Sequence, residues 1–224
     1  MSKRLVDIVV GIVLAIALTP LMLVLAVGAA ISLRAWPFFS QTRVGLGGRD
    51  FRIFKIRTMP PTAPAYADKY SIAVTVRIPK FCNLLRTLHL DELPQLWLVP
   101  FGLMSLVGPR PEMRMLHETF DPAFARQRTS VRPGCTGLWQ IGNGAQGLIV
   151  ESPEYDRLYV ANAGVRLDLW VLWQTVRMFL GLGHQRALGA VPAWTAIPAP
   201  ANVAPVIRLR DYEVEADTRL ALEA

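Results

Sequence analysis

Histidine and cysteine are scarce in this chain, and their scarcity removes several kinds of chemistry. Three histidines, His89, His117 and His184, are scattered over 224 residues and make no zinc cluster. Two cysteines, Cys82 and Cys135, show no metal-ligand spacing and no disulfide framework, which fits a reducing compartment. Charge is thin as well. Only 18% of residues carry it, against 52% that are hydrophobic, yet 24 Lys and Arg outnumber 17 Asp and Glu for a formal +7. A soluble nucleic-acid binder would be basic but richer in charge. Nucleic acid is therefore set aside as a partner in favour of a membrane surface or a polyanionic substrate. No internal repeat is present, and the glycines of "GNGAQG" follow no strand-to-helix pattern, which disfavours a dinucleotide site. The length suits one domain of ordinary size plus appendages.

What the chain has in quantity is apolar sequence at its start. Residues 5–33, "LVDIVVGIVLAIALTPLMLVLAVGAAISL", hold a single charge, Asp7. One straight helix of that length would run about 43 Å, more than the roughly 30 Å of a bilayer's hydrocarbon. Pro20 interrupts it, removing a backbone hydrogen bond and bending the helix, and the Thr19 hydroxyl is placed to satisfy a freed carbonyl. Lys3 and Arg4 precede the run, and Arg34, Arg43, Arg49, Arg52, Lys55 and Arg57 follow it. Positive charge on both flanks puts both on the cytoplasmic side. The favoured reading is a re-entrant helix, bent at Thr19-Pro20, that enters and leaves through one leaflet. A simple span, a cleaved leader and a buried helix are the competing readings.

Residues 36–59, "WPFFSQTRVGLGGRDFRIFKIRTM", place "GLGG" between two aromatic and β-branched stretches, a β-hairpin signal. Trp36, Phe38 and Phe39 fall where an interfacial aromatic belt would lie. The basic residues of this segment read most plainly as a patch resting on anionic headgroups. The sharper reading gives Lys55 and Arg57 to substrate phosphate oxygens. Residues 60–76 are a Pro/Ala-rich loop.

From Lys80 the chain reads "KFCNLLRTLHLDELPQLWLVPFGLMSLVGPRPE". Phe81, Leu84, Leu85 and Leu88 recur at helical spacing and leave Lys80 and Arg86 on a polar side. Pro94 limits where the next helix can start, making Asp91 its N-cap with Glu92 in the first turn. Free N–H groups there favour ionised carboxylates and draw a phosphate to the same place. Two carboxylates beside a diphosphate repel it unless a divalent cation lies between, and Mg²⁺ takes such ligands. One carboxylate is then free to act as nucleophile while the other holds metal. A plain helix start is the competing meaning of "DELP". In "GPRPE", Arg110 stands between two prolines of fixed φ, a stiff mount for a bidentate phosphate clamp, with Glu112 near enough in sequence to pair with it.

Later segments are less specific. In "PGCTGLWQIGNG", Trp139 is a candidate to stack on a nucleobase, with Gln140 beside it, although a core tryptophan is the plainer reading. "EYDRLYV" and "RLDLWVLWQTVRMFL" read as helices, with Asp156 and Asp168 in capping or salt-bridging roles. Trp170, Trp173 and Phe179 suggest that the second of these helices lies against the membrane interface, and the apolar residues from Leu116 to Phe124 are read the same way. After Gly183 the Pro/Ala-rich and then acidic sequence reads as a tail.

Together "KRLVDIVV", "FFSQTRVGLGGRDFRIFKIRTM", "LLRTLHLDELPQLW", "SLVGPRPE", "RPGCTGLWQ" and "YDRLYVANAGVRLDLWVLWQT" resemble the bacterial sugar transferases, the initiating monotopic phosphoglycosyl transferases. The resemblance runs from Lys3 to about Leu180. It implies transfer of a sugar-1-phosphate from a UDP-sugar to polyprenyl (undecaprenyl) phosphate with release of UMP, opening exopolysaccharide, capsule or O-antigen assembly. It implies that Asp91 attacks phosphorus to form a covalent intermediate, that Glu92 helps bind Mg²⁺, and that Arg86 and Arg110 grip phosphate. The implied fold is mainly α with a small β-hairpin: a re-entrant membrane helix over residues 1–34, and amphipathic helices around a compact cytoplasmic catalytic domain over 35–183. Residues 184–224 are the tail. The setting is the cytoplasmic face of a bacterial inner membrane, in contact with lipid, and a homodimer is left open. The chain departs from the family pattern at His89, usually Ser, at Leu98, usually Asn, at Leu103, usually Asp, and in lacking an arginine after "GLWQ". Leu103 and the altered glycine loop motivate the alternative, a non-catalytic scaffold for glycan assembly.

Overall fold

A long apolar run without a polar stripe needs its backbone satisfied internally, and it forms one helix, α1, Lys3–Leu33. The computed structural model describes residues 2–63, 76–183 and 187–195. By length and composition α1 is able to cross a membrane. It continues through Pro20. The Thr19 hydroxyl donates to the carbonyl of Ala15 at 2.7 Å, one residue short of the carbonyl that the missing Pro20 N–H would have served. On one face Asp7, Gly11, Ala15, Met22, Ala26 and Ala29 are buried. Small residues there admit the domain closely: a Cβ on Gly11 would stand 2.9 Å from a Val99 methyl. Val13, Ile16, Val24, Val27 and Ile31 are exposed on the rest of the helix.

Both ends of α1 touch the same domain. Near its start, Lys3 bonds Ser105 and pairs with Asp168. Near its end, Ala29 is buried with Ile56, Cys82 and Leu85. The hairpin is as the turn signal predicts. Strands β1 (Phe38–Val44) and β2 (Asp50–Ile56) pair antiparallel, with Gly47 and Gly48 supplying the positive φ of the turn. Helix α2 (Lys80–Thr87) follows, then a 3₁₀ helix (Leu90–Leu98) and strand β3 (Ser105–Val107). Short helices α3 (Arg114–His117) and α4 (Pro122–Arg128) lead to β4 (Gly134–Thr136), which pairs parallel with β3. The chain continues through α5 (Leu138–Ile141), α6 (Glu154–Ala161) and α7 (Val165–Phe179). The described residues are thus mainly helical with a small antiparallel sheet, and β3–β4 is a second pairing that no local signal announced.

Some surfaces differ from the sequence reading. Phe120 and Phe124 are buried with Ile149 in a satellite cluster rather than offered outward. The two helices of this stretch are only four and seven residues long, too short to present a separate interfacial face. Trp170 belongs to the main core, whereas Leu169, Trp173, Val176 and Phe179 on α7 are exposed. Val191 and Thr195, from the stretch read as tail, are buried, and Val191 joins the main core. Most of the 60–76 loop and residues 196–224, including the acidic end, lie outside the described residues.

Candidate active site

Nine residues of 3₁₀ helix, Leu90–Leu98, frame the site. Such runs seldom exceed three or four residues, because their hydrogen bonds are poorer than those of an α-helix. Pro94, with no N–H to give, sits inside this one. His89 occupies the cap position in the left-handed region (φ 53°) and makes no side-chain cap, so Asp91 is not the N-cap that the sequence suggests. It stands with Glu92 inside the first turn.

The 3₁₀ period sets the two adjacent carboxylates on different edges of the helix. Side chains three apart eclipse one another. Asp91, Pro94 and Trp97 therefore share one edge, and Glu92, Gln95 and Leu98 the next. Along the first edge, the Trp97 indole N–H donates to the Thr19 hydroxyl of α1 at 3.2 Å. Along the second, Glu92 and Gln95 line a small cleft with Arg43, Lys55 and Arg110.

Glu92 is fully engaged. Lys55 Nζ donates to its Oε1 at 2.6 Å, and Arg110 forks across both oxygens at 2.8 and 3.2 Å. Burial opposes its charge, but Arg110 and Lys55 overcome this and hold the carboxyl well below the usual carboxylate range. In return the Glu92 charge raises Arg110, and burial lowers Lys55. Asp91 is the opposite case. It is buried, yet among the described residues no hydrogen bond or ion pair engages its side chain. Burial, then the neighbouring Glu92 charge, push its carboxyl up, while Lys55, Arg86 and His89 pull it down. One carboxylate is thus locked between two cations and the other is left unengaged. Replacing Arg86 by glutamine removes a charge that lowers Asp91. The acid limb of a kcat/KM profile, lost as pH falls through that pKa, is expected to move to higher pH.

The structure brings Asp91, Glu92, Lys55, Arg86 and Arg110 together and leaves out Arg57. Strand β2 ends at Ile56, and the Arg57 guanidinium instead bonds the carbonyls of Trp36 and Phe38 and stacks over Phe39. Glu112 pairs with Arg43 at 3.5 Å rather than with Arg110. The Trp139 indole donates to Ser152 at 3.1 Å, and the partly buried ring packs against the core. The Gln140 amide is enclosed beside Gly137 without a hydrogen-bond partner.

With that geometry in place, comparison with known proteins is direct. The family model described as "Bacterial sugar transferase" matches residues 1–181. The chain belongs to the bacterial sugar transferase family. It is 34% identical over 80% of its length to the UDP-N-acetylgalactosamine-undecaprenyl-phosphate N-acetylgalactosaminephosphotransferase of Aeromonas hydrophila, covering 43% of that protein. It is 37% identical over 86% of its length to the UDP-glucose:undecaprenyl-phosphate glucose-1-phosphate transferase of Xanthomonas campestris, covering 40% of it. It therefore spans less than half the length of these relatives. The exopolysaccharide production protein ExoY of Sinorhizobium fredii is nearer in size: 32% identity over 78% of this chain and 84% of that one.

Two polar clusters bear out the salt-bridging reading of Asp156 and Asp168, with partners that local sequence reading does not name. In one, Lys3, Asp7, Ser105, Tyr159 and Asp168 join the start of α1 to β3 and α7. A further local signal is the i, i+4 pair Lys3 and Asp7 at the start of an apolar run. In the other, Arg128 pairs with Asp156. Among the described residues no group of three or more His, Cys, Asp or Glu is placed to hold a metal ion, so a magnesium ion here would rely on the two carboxylates and on substrate oxygens. Asp91 has a free carboxylate, whereas Glu92 could ligate only by giving up a bond to Arg110 or Lys55. The Cys135 thiol is pushed up to about 12, chiefly by burial, and burial also raises Cys82. Both are expected to resist N-ethylmaleimide at neutral pH in the native protein and to react on unfolding, as mass spectrometry would show.

Proposed function

We propose that this protein is a phosphoglycosyl transferase moving a sugar-1-phosphate from a UDP-sugar to undecaprenyl phosphate, with Asp91 as nucleophile. The observation that carries the reading is the division of labour at residues 91 and 92: an unengaged buried carboxylate beside one locked to two cations. An Asp91 oxygen attacks the phosphorus that bears the sugar, the bond from that phosphorus to the UMP oxygen breaks, and UMP departs. An undecaprenyl phosphate oxygen then attacks the same phosphorus and releases the Asp91 carboxylate. A ping-pong route lets one site serve a soluble donor and a lipid acceptor in turn. The undecaprenyl-phosphate acceptor and UDP-sugar donors of the relatives named above support this choice.

Lys55, Arg86 and Arg110 bring three positive charges against the two of Asp91 and Glu92. The single surplus charge does not balance a doubly charged diphosphate. Mg²⁺, held by Asp91 and the donor's phosphate oxygens, would supply the missing charge and polarise the phosphoryl group. Lys55 and Arg110, aligned by Glu92, offer the donor oxygens fixed N–H groups and need little reorganisation.

The same reading places α1 as a re-entrant helix at the cytoplasmic face of the inner membrane. Its support is that both ends of a helix about 46 Å long pack on one domain, which a helix leaving through the far leaflet would not do. Exposed apolar residues of α1 and α7 would face lipid. The scaffold alternative drew on the altered glycine loop and on Leu103. That residue lies in an exposed turn whose carbonyls are held by Arg4 and Arg132, outside the carboxylate cluster.

The test is to incubate the protein with a UDP-sugar panel labelled in the phosphate next to the sugar, without acceptor. Label is expected to stay on the protein and to leave when undecaprenyl phosphate is added. UMP release that requires acceptor at every enzyme concentration, with no labelled protein, would remove the covalent route.

A further inference from the structure

The loop that carries Arg110 is short of donors because two of its residues are proline, so its carbonyls must find partners elsewhere. Each of the four does. Pro109 O accepts from Gly134 N–H at 2.9 Å and Glu112 O from Val44 N–H at 2.9 Å. Pro111 O accepts from Arg43 at 3.4 Å, and Arg110 O accepts from Nη2 of Arg128.

The last contact differs from the others in its isolation from solvent. Arg128 is 4% exposed and Asp156 2%. Asp156 Oδ2 accepts from Arg128 Nε at 2.6 Å, and the guanidinium lies 5.3 Å from the centroid of the Phe120 ring. Two contacts thus fix a planar fork from behind, and one of its remaining N–H groups holds the backbone of the residue that grips Glu92 in front. Burying a charge pair this completely is rarely repaid in stability alone.

We propose that Arg128, oriented by Asp156 and Phe120, is a positioning residue that sets the reach of the Arg110 guanidinium toward the donor's phosphate. The inference rests on Arg110 holding that phosphate. Arg128 touches no substrate; it acts through the carbonyl of Arg110. A lysine at 128 keeps a charge for Asp156 but cannot reproduce the fork that reaches Asp156 and Arg110 together.

The experiment is a double-mutant cycle on the full chain in detergent, reading UMP release with undecaprenyl phosphate and the fastest donor of a UDP-sugar panel. Arg128→Lys is expected to lower kcat/KM more than tenfold in the native background and less than twofold in an Arg110→Ala background. Its effect on melting temperature should be the same in both. Equal fold-losses of kcat/KM in the two backgrounds would overturn the proposal, because a general packing defect does not depend on Arg110. Should Arg128→Lys fail to fold, Phe120→Leu removes only the supporting ring and is read by the same two outcomes. Full activity of Arg110→Ala alone would instead overturn the phosphate reading, and this inference with it.

Discussion

Asp91→Asn is expected to abolish turnover, lowering UMP release at least about a thousandfold, while raising stability at neutral pH. The loss follows from replacing a carboxylate nucleophile by an amide, and a thousandfold corresponds to about 4 kcal/mol of barrier. The gain in stability follows from the raised pKa. Burial and Glu92 make the Asp91 charge harder to carry in the folded chain than in the unfolded one. Stability is therefore lost as pH rises from the unfolded value through the folded one, and asparagine avoids that loss. The stabilisation by Asn should fade as pH drops below the unfolded carboxyl range, where the native side chain is neutral in both states. Thermal melts of the two proteins across that range, run beside the release assay, decide the matter. An Asp91→Asn protein that is inactive and less stable at neutral pH would show a structural carboxylate, not one set aside for chemistry.

A large loss of stability is expected at Asp168, remote in sequence from the 3₁₀ helix. Its carboxylate accepts from Lys3 at Oδ2 and from the Tyr159 hydroxyl at 2.9 Å. Lys3 also reaches Ser105 and Val107 O, and Tyr159 donates to Val107 O at 2.7 Å. Asp168→Ala would leave a partly buried ammonium without its closest counter-charge. The expected cost is about 3 kcal/mol, near the low end for breaking a buried pair because the Lys3 side chain keeps some solvent. For a chain of this size that lowers the melting temperature by roughly 6–12 °C. A melting temperature within a degree of the native protein would refute the anchoring role. The consequence reaches the site, because β3 ends at Val107 and the loop bearing Arg110 begins immediately after it.

The double-mutant cycle at Arg128 and the pH profile of Arg86→Gln complete a set of tests that separate roles. In the proposed scheme Asp91 reacts, Glu92 and Arg128 orient cations, Arg86 biases the proton, and Asp168 holds α1 to the domain. Activity alone would not tell these apart. A pH limb, a melting temperature and a non-additivity do.

What the sequence decided by itself is what depends on neighbours along the chain. An unbroken apolar run must satisfy its own backbone, and residues 5–33 became a helix. "GLGG" between β-rich stretches supplied the positive φ of a hairpin, and Pro109 and Pro111 stiffened the mount of Arg110. The pairing of Asp91 and Glu92 beside Pro94 marked the candidate segment without its structure. Tertiary contact chose the 3₁₀ winding that sends the two carboxylates in different directions, and chose Lys55 over Arg57. It also matched Lys3 with Asp168 and Arg128 with Asp156, partners 165 and 28 residues apart. A charge is legible from composition, but its partner is set by the path of the whole chain. In a low-dielectric interior that partner decides whether the charge serves as strut, clamp or nucleophile.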